Sequence, residues 1–231
     1  MAGIGAAAGI GYLVPSVTAG VPALRPLFGV RDRIADGVAL TFDDGPHPEG
    51  TPAVLECLAA ASVQATFFLV GAQVERRPQL AARIEAAGHD IGLHCQEHRS
   101  LLRLGPRQTR ADLLRAAAAI EAATGARVRL YRPPYGVLNA AALATARREG
   151  WETWLWRREG RDWQARATAE SIADRLLRRI RPGDVLLLHD ADHYSARGSW
   201  QRTAAALPLV LHRIEHSRLP VRLLRDRQCQ A

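Results

Sequence analysis

Short apolar runs alternate with longer amphipathic runs along this chain from residue 38 onward. The strand-like runs are 38–42, 65–70, 90–94, 128–131, 151–156, 185–188 and 221–224. The helix-like runs are about 52–61, 73–87, 106–124, 139–149, 168–181 and 199–215. Strands that alternate with helices pair in parallel through helical crossovers. The sequence therefore predicts one α/β domain of about seven parallel strands, either a (β/α) barrel or an open sheet.

Residue types at the ends of the helical runs support their boundaries. Gly88, Gly125 and Gly150 each follow a helical run directly, as glycines at the C′ position do. Thr51 precedes Pro52, and proline is favoured at the first helical position. We therefore expect Thr51 to cap the first of these helices.

The positive charge of the chain comes from arginine alone. The net charge is +8 and the sequence has no lysine. The arginines are spread along the chain, without a dense basic block or interleaved aromatic residues, so no nucleic-acid partner is expected. An anionic envelope or a polyanionic substrate is compatible with this charge.

The N-terminal part differs in composition from the rest. Residues 2–24 carry no charge and are rich in Gly and Ala. No arginine precedes this run, so the basic start of a signal peptide is missing. A weak membrane anchor, a truncated export signal and a packed extension all stay open, and we favour the membrane-type interpretations. We divide the chain into an extension, 1–36, with membrane association through residues 1–28, and a main domain, 37–231.

Residues suited to catalysis follow several of the predicted strands. The motifs are TFDDGP (41–46), HCQEH (94–98), RPPYG (132–136), RDW (161–163) and LLHD (187–190). Carboxyl ends of parallel strands meet at one edge of a sheet, where α/β folds place their sites. Chance explains poorly why successive strand ends carry His, Asp or Arg.

The two histidines of the second motif suggest a metal site. If residues 94–98 form a helical turn, both imidazoles lie on one face and can bind one ion. With Asp44 they make a His₂–carboxylate set, a ligand pattern of open hydrolytic metal sites. Two histidines at this spacing also arise by chance, so the pair alone does not establish a site.

The five motifs, in this order over about residues 38–190, resemble the polysaccharide deacetylase family (the NodB homology domain, carbohydrate esterase family 4). The resemblance implies a distorted (β/α) barrel with a metal-dependent site that removes N- or O-acetyl groups from sugars. It implies that Asp44, His94 and His98 bind a divalent metal, with Zn²⁺ expected. Asp43 matches the catalytic base that activates water, and Arg132 matches the residue that contacts this base.

The resemblance also assigns the residues on the leaving-group side. His189 matches the general acid that protonates the leaving amine. Asp162 matches the carboxylate that raises the pKa of this histidine. The backbone N–H of Tyr135 matches a donor to the tetrahedral oxyanion, and Trp163 and Leu187 match apolar walls around the acetyl methyl group.

One position departs from the pattern of the family. The second motif usually reads His-Ser/Thr-x-x-His, whereas this chain has Cys95 after the first histidine. A thiol is a weak hydrogen-bond donor, so this change puts loop rigidity and metal affinity in doubt. Cys95 is either a small packed residue facing away from the metal, which we favour, or a fourth ligand.

The expected activity is hydrolysis of N-acetyl groups in an amino-sugar polymer or oligomer, such as peptidoglycan or chitin. An O-acetyl xylan-type esterase, a small-molecule amidohydrolase and a non-catalytic carbohydrate-binding protein remain as alternatives. The expected partner is an acetylated glycan, and a location at the cell envelope or a membrane is favoured over the cytoplasm.

Overall fold

The computed structural model describes residues 11–225 and contains one nine-stranded sheet. The strands are β1 (Val30–Arg31), β2 (Val38–Asp43), β3 (Thr66–Val70), β4 (Asp90–Cys95), β5 (Leu130–Tyr131), β6 (Glu152–Trp154), β7 (Arg158–Glu159), β8 (Val185–His189) and β9 (Val221–Arg222). Their order is β1-β6-β5-β4-β3-β2-β8-β7, with β9 paired to the start of β2. Every strand pairing is parallel, as the alternation of strands and helices predicts.

The helices cover the sheet between successive strands. They are α1 (Val17–Gly20), α2 (Gly50–Ala60), α3 (Gly71–Arg76), α4 (Pro78–Ala86), α5 (Pro106–Thr124), α6 (Ala140–Glu149), α7 (Ala169–Leu177) and α8 (Ser199–His216). Short 3₁₀ helices lie at Val14–Ser16, Pro22–Phe28, Leu101–Arg103 and Pro134–Gly136. The predicted helix 73–87 is two helices, α3 and α4. Pro78 disfavours helical backbone at the preceding residue, and Arg77 has φ −143° and ψ 60°.

The bent segment 152–159 curls the sheet into a distorted barrel. Its first part, β6, pairs with β5 near one end of the strand order, and its last part, β7, pairs with β8 at the other end. Between these strands the Leu155 N–H donates to the Arg31 carbonyl and the Arg157 N–H donates to the Val185 carbonyl. The same few residues thus join both ends of the sheet, which confirms the predicted distorted (β/α) barrel.

Strands β2, β3 and β8 form the centre of the core. All residues of β2 and β3 are buried, and so are the first four residues of β8. Burial on both faces explains their nearly continuous apolar sequences, which are typical of parallel sheets covered by helices. Polar side chains become frequent where these strands end, so the candidate site begins at the carboxyl ends of the core strands.

The predicted extension, 1–36, includes a strand of the sheet, because Val30 and Arg31 pair with β6. Residues 1–10 lie outside the described part of the chain. Within the described part, the Tyr12 hydroxyl donates to the Leu104 carbonyl at 2.9 Å, and buried Arg25 contacts Asp32 at 2.6 Å. Among residues 11–225, no helix is both long and apolar enough to cross a bilayer.

Candidate active site and metal centre

The backbone at the end of β2 turns two adjacent carboxylates in different directions. Asp43 is the last residue of β2 and is in register with His189 of β8. Asp44 follows with φ 78°, a left-handed conformation in which few residues other than glycine are found. Asp43 consequently meets Arg132, whereas Asp44 meets His94 and His98.

Asp44, His94 and His98 converge as a candidate metal site. Oδ1 of Asp44 lies 3.6 Å from Nε2 of His94 and 3.2 Å from Nε2 of His98, and all three ligand atoms are within 4.8 Å of one another. Among the described residues, this buried Oδ1 has no hydrogen-bond partner. A buried, unpaired carboxylate oxygen beside two imidazole nitrogens fits a divalent cation.

The protonation of the three side chains agrees with metal binding. Burial lowers the pKa of His94 and of His98 to about 3, so both imidazoles are neutral, as ligands must be. Burial raises the pKa of Asp44 to about 7, and a divalent cation beside the carboxylate would favour its charged form. Nδ1 of His94 donates to the Arg132 carbonyl at 2.9 Å, which leaves Nε2 free to coordinate.

The two histidines are not presented by a helical turn, so that expectation was wrong. His94 belongs to β4, and His98 lies in the bend that follows it. Asp112 of α5 fixes this bend by accepting from the Gln96 N–H at 2.8 Å and the Glu97 N–H at 3.3 Å. A buried side chain from another element therefore gives the His-x-x-x-His segment its shape.

Cys95 is packed away from the metal site. It is fully buried in a small cluster with Val70 and Ala72, and burial raises its thiol pKa well above the usual range. It belongs to none of the groups of three potential ligands found among the described residues. The small packed residue, rather than a fourth ligand, is the interpretation that fits.

Arg132 and Asp43 form a buried ion pair. NH1 of Arg132 donates to Oδ1 of Asp43 at 2.7 Å and to the Thr41 hydroxyl at 2.8 Å. The guanidinium carbon also lies 4.0 Å from the ring centroid of Phe68. Burial raises the pKa of Asp43, and Arg132 opposes this rise without cancelling it. Arg132 thus favours the ionised carboxylate, but burial has the larger effect.

His189 and Asp162 form a second ion pair, next to Asp43 in the sheet. Asp162 accepts from Nδ1 of His189 at 3.0 Å, from the His189 backbone N–H at 2.6 Å and from the Thr203 hydroxyl at 2.8 Å. Burial disfavours the imidazolium, but the Asp162 carboxylate outweighs it and raises the pKa of His189 to about 10. A histidine that stays protonated at neutral pH can donate a proton.

The three predicted substrate-contacting residues lie around these pairs. Tyr135 has left-handed backbone (φ 60°), and its N–H finds no backbone acceptor among the described residues. Leu187 is buried two residues before His189 in β8, so both side chains lie on the same face of the sheet. Trp163 is 41% exposed, and its carbonyl accepts from the Ala196 N–H.

Several residues of the site escape prediction from the sequence. Asp112 and Thr203 act through hydrogen bonds to residues far away in sequence, and their helical positions carry no special signal. Thr41 belongs to the TFDDGP motif, but the sequence does not indicate its bond to Arg132. Asp190 belongs to the LLHD motif, but the sequence does not indicate its hydrogen-bond partner. It accepts from the Thr51 hydroxyl, which is therefore not the helix cap that we expected.

Comparisons with known proteins identify the family of the chain. The family model described as polysaccharide deacetylase matches residues 31–154. A chitooligosaccharide deacetylase of Sinorhizobium fredii is 42% identical over 68% of this chain and 73% of its own length. A peptidoglycan-N-acetylglucosamine deacetylase of Bacillus cereus is 35% identical over 75% of this chain and 79% of its own length. The crystal structure of a peptidoglycan N-acetylglucosamine deacetylase superimposes with a TM-score of 0.81 at 27% identity, covering 87% of this chain and 94% of that one.

Proposed function

This chain belongs to the polysaccharide deacetylase family, and we propose that it is a metal-dependent hydrolase that removes N-acetyl groups from a chitin- or peptidoglycan-like glycan. One observation carries the proposal. The unpaired Oδ1 of Asp44 faces two neutral imidazoles next to a carboxylate–arginine pair and a protonated histidine. Zn²⁺ is the proposed ion because imidazole nitrogen and carboxylate oxygen suit it.

Asp44, His94 and His98 would hold the ion, which when bound supplies Lewis-acid activation of water and of the acetyl carbonyl. Asp43 then accepts the proton of the attacking water. Burial raises the pKa of Asp43, which strengthens it as a base, while Arg132 fixes the orientation of its carboxylate.

The remaining residues act on the oxygen and nitrogen of the acetamido group. The Tyr135 N–H donates to the carbonyl oxygen as negative charge develops there. His189, kept protonated by Asp162, donates its proton to the departing nitrogen. Trp163 and Leu187 enclose the methyl group. Because an amine leaves poorly without protonation, the charged His189 favours N-acetyl over O-acetyl substrates.

Acetate release from a panel of glycans tests this proposal. The panel holds chitin oligosaccharides, peptidoglycan and acetylated xylan, each with and without chelator, and includes the Asp43→Ala and His94→Ala variants. We expect N-acetyl glucosamine substrates to release acetate, and the chelator and both substitutions to abolish release. Acetate release that survives the chelator and both substitutions rules out the mechanism, and release from acetylated xylan alone favours the esterase.

We also propose that the protein acts at the cell envelope, since the relatives named above include a deacetylase of peptidoglycan. Several large apolar side chains in the N-terminal stretch are exposed, and they belong to Leu13, Val14, Val17, Val21 and Leu27. They support membrane association through residues 1–28. Sedimentation with phospholipid vesicles tests this, and a protein that stays in the supernatant would exclude it.

A further inference from the structure

The two histidines of the candidate metal site are held in different ways. Nδ1 of His94 is bonded to the Arg132 carbonyl, the usual arrangement that fixes the ring of a metal-binding histidine. Nδ1 of His98 is buried and makes no hydrogen bond to any other residue of 11–225. A contact between the ring and the backbone of His98 itself raises the pKa of this histidine, but no other residue of 11–225 holds the ring through Nδ1. The side chains packed around the ring therefore set the angle that points Nε2 toward Asp44.

Two tyrosine rings enclose His98. Tyr194 stacks on it face to face, with ring centroids 4.4 Å apart and an interplanar angle of 13°. Tyr135 meets it edge-on at 4.7 Å and 69°. Tyr135 is 60% exposed and Tyr194 is 38% exposed, and the Tyr194 hydroxyl accepts from the Gln73 side-chain amide at 3.1 Å. Of the two rings, Tyr194 is the one that stacks face to face on His98 and has its hydroxyl held by a hydrogen bond.

The loop that carries Tyr194, residues 191–198, is itself braced against the end of β2. Nδ1 of His47 accepts from the Gly50 N–H at 2.9 Å, so in the neutral imidazole the proton sits on Nε2. Nε2 lies 3.3 Å from Oδ1 of Asp192, whose Oδ2 accepts from the Gly198 N–H at 2.7 Å. His47 thus ties the loop in place, and its protonated Nε2 makes the neighbouring group of His47, Asp192 and His193 a poor metal site.

We propose that Tyr194 is a positioning residue for His98, and that stacking of its ring takes the place of the hydrogen bond that orients His94. This inference rests on the proposed metal-dependent function. Truncation of Tyr194 frees the His98 ring to rotate, so the ion loses a preoriented ligand. A partner that orients a ligand typically contributes about 10- to 100-fold to metal affinity, and we expect the low end of that range here.

Zinc affinity of the metal-free protein, measured by competition with a chromophoric chelator, tests the inference without reference to activity. Tyr194→Ala should bind Zn²⁺ about tenfold more weakly than the unmodified chain. Tyr194→Phe keeps the stacked ring and should restore affinity to within about twofold. The visible absorption of bound Co²⁺ should change in Tyr194→Ala and not in Tyr194→Phe.

The measurements use a His216→Ala background, because the ligand atoms of the exposed group His212, Glu215 and His216 on α8 also lie within 4.8 Å of one another and would compete for zinc. Arg197→Ala, at an exposed position of the same loop, is the matched control and should leave affinity unchanged. Tyr194→Leu replaces the alanine variant if that one does not fold. Equal zinc affinity in the unmodified chain and the truncated variant overturns the inference, as does an equal loss in Tyr194→Phe. If the unmodified chain binds no zinc, both the proposed metal-dependent function and this inference fail.

Discussion

Asp162 holds His189 through two hydrogen bonds, one from the backbone N–H at 2.6 Å and one from Nδ1 at 3.0 Å. The carboxylate therefore fixes both the position of the residue and the proton on Nδ1. The other nitrogen, Nε2, is left to face the substrate. A single buried acid thus sets the geometry and the charge of the group that we propose to protonate the leaving amine.

Asp162→Asn should move the alkaline limit of activity to lower pH. The carboxylate raises the pKa of His189 to about 10, so the imidazole stays protonated up to that region. Without the negative charge, burial dominates and lowers the pKa, and the acid form is lost at a lower pH. The pH profile of kcat/KM on a chitin oligosaccharide measures this limit. An alkaline limit that does not move would show that His189 is not the group that titrates.

The buried strands were predicted closely, whereas two of the short strands, β1 and β7, were missed. The strand predicted over 38–42 is β2, Val38–Asp43, because a run buried on both faces must be apolar throughout. β1 and β7 have two residues each, and the β7 residues, Arg158 and Glu159, are charged and half-buried. Such strands exist because the barrel closes there, a long-range effect without a local pattern.

The functional residues were predictable to the extent that they stand at strand ends. Asp44, His94 and His98 do lie together, as the sequence predicts. The residues that hold these ligands in place could not be predicted from the sequence. Asp112, for example, lies in α5 and accepts hydrogen bonds from the backbone N–H groups of residues 96 and 97. The sequence raised the concern that Cys95 weakens this segment, and in the structure Asp112 supplies the rigidity instead.

Asp112→Ala should lower both stability and zinc affinity. The substitution leaves two N–H groups without their acceptor, at a cost of about 1–3 kcal/mol. For a chain of this size that corresponds to a fall in Tm of roughly 2–12 °C. Thermal unfolding with and without zinc measures both effects. Asp112→Asn keeps one acceptor oxygen, so its Tm and zinc affinity should lie between those of the unmodified chain and of Asp112→Ala. A Tm unchanged in Asp112→Ala would exclude the bracing role.

Asp43→Asn should strongly reduce turnover and keep zinc binding. The amide cannot accept a proton, so loss of the base should reduce kcat by roughly 10²- to 10⁴-fold. Asp43 is not one of the three proposed ligands, so zinc affinity should stay near that of the unmodified chain. The variant also leaves Arg132 buried without its counter-charge, and its Tm should therefore fall. Activity retained in a folded, zinc-loaded variant would remove Asp43 from the mechanism.

Cys95→Ser should not strengthen zinc binding. The Cys95 side chain is buried with Val70 and Ala72, so a hydroxyl placed there faces apolar groups rather than the metal. We expect a modest loss of stability, about 1–2 kcal/mol, and an unchanged zinc affinity. Competition with a chelator compares the two proteins. A large gain in affinity would mean that a hydroxyl at this position braces the site, whereas a large loss would point to the thiol as a ligand.

Gly45→Ala should destabilise the chain through contact with Asp190. A Cβ atom at residue 45 would lie 2.5 Å from Oδ2 and 2.6 Å from Oδ1 of this fully buried carboxyl. Neither side can yield easily, because the Gly45 carbonyl accepts from the Val70 N–H and Asp190 accepts from the Thr51 hydroxyl.

Overpacking of this kind typically costs about 1–3 kcal/mol, and the shift also displaces the turn that carries Asp43 and Asp44. Thermal unfolding should therefore show a lower Tm together with weaker zinc binding. Gly20→Ala is the matched control, since a Cβ atom there meets nothing within 4 Å, and it should leave both quantities unchanged. If Gly45→Ala is tolerated as well as Gly20→Ala, then Asp190 can move. In that case the close contact between the ends of β2 and β8 does not fix the site.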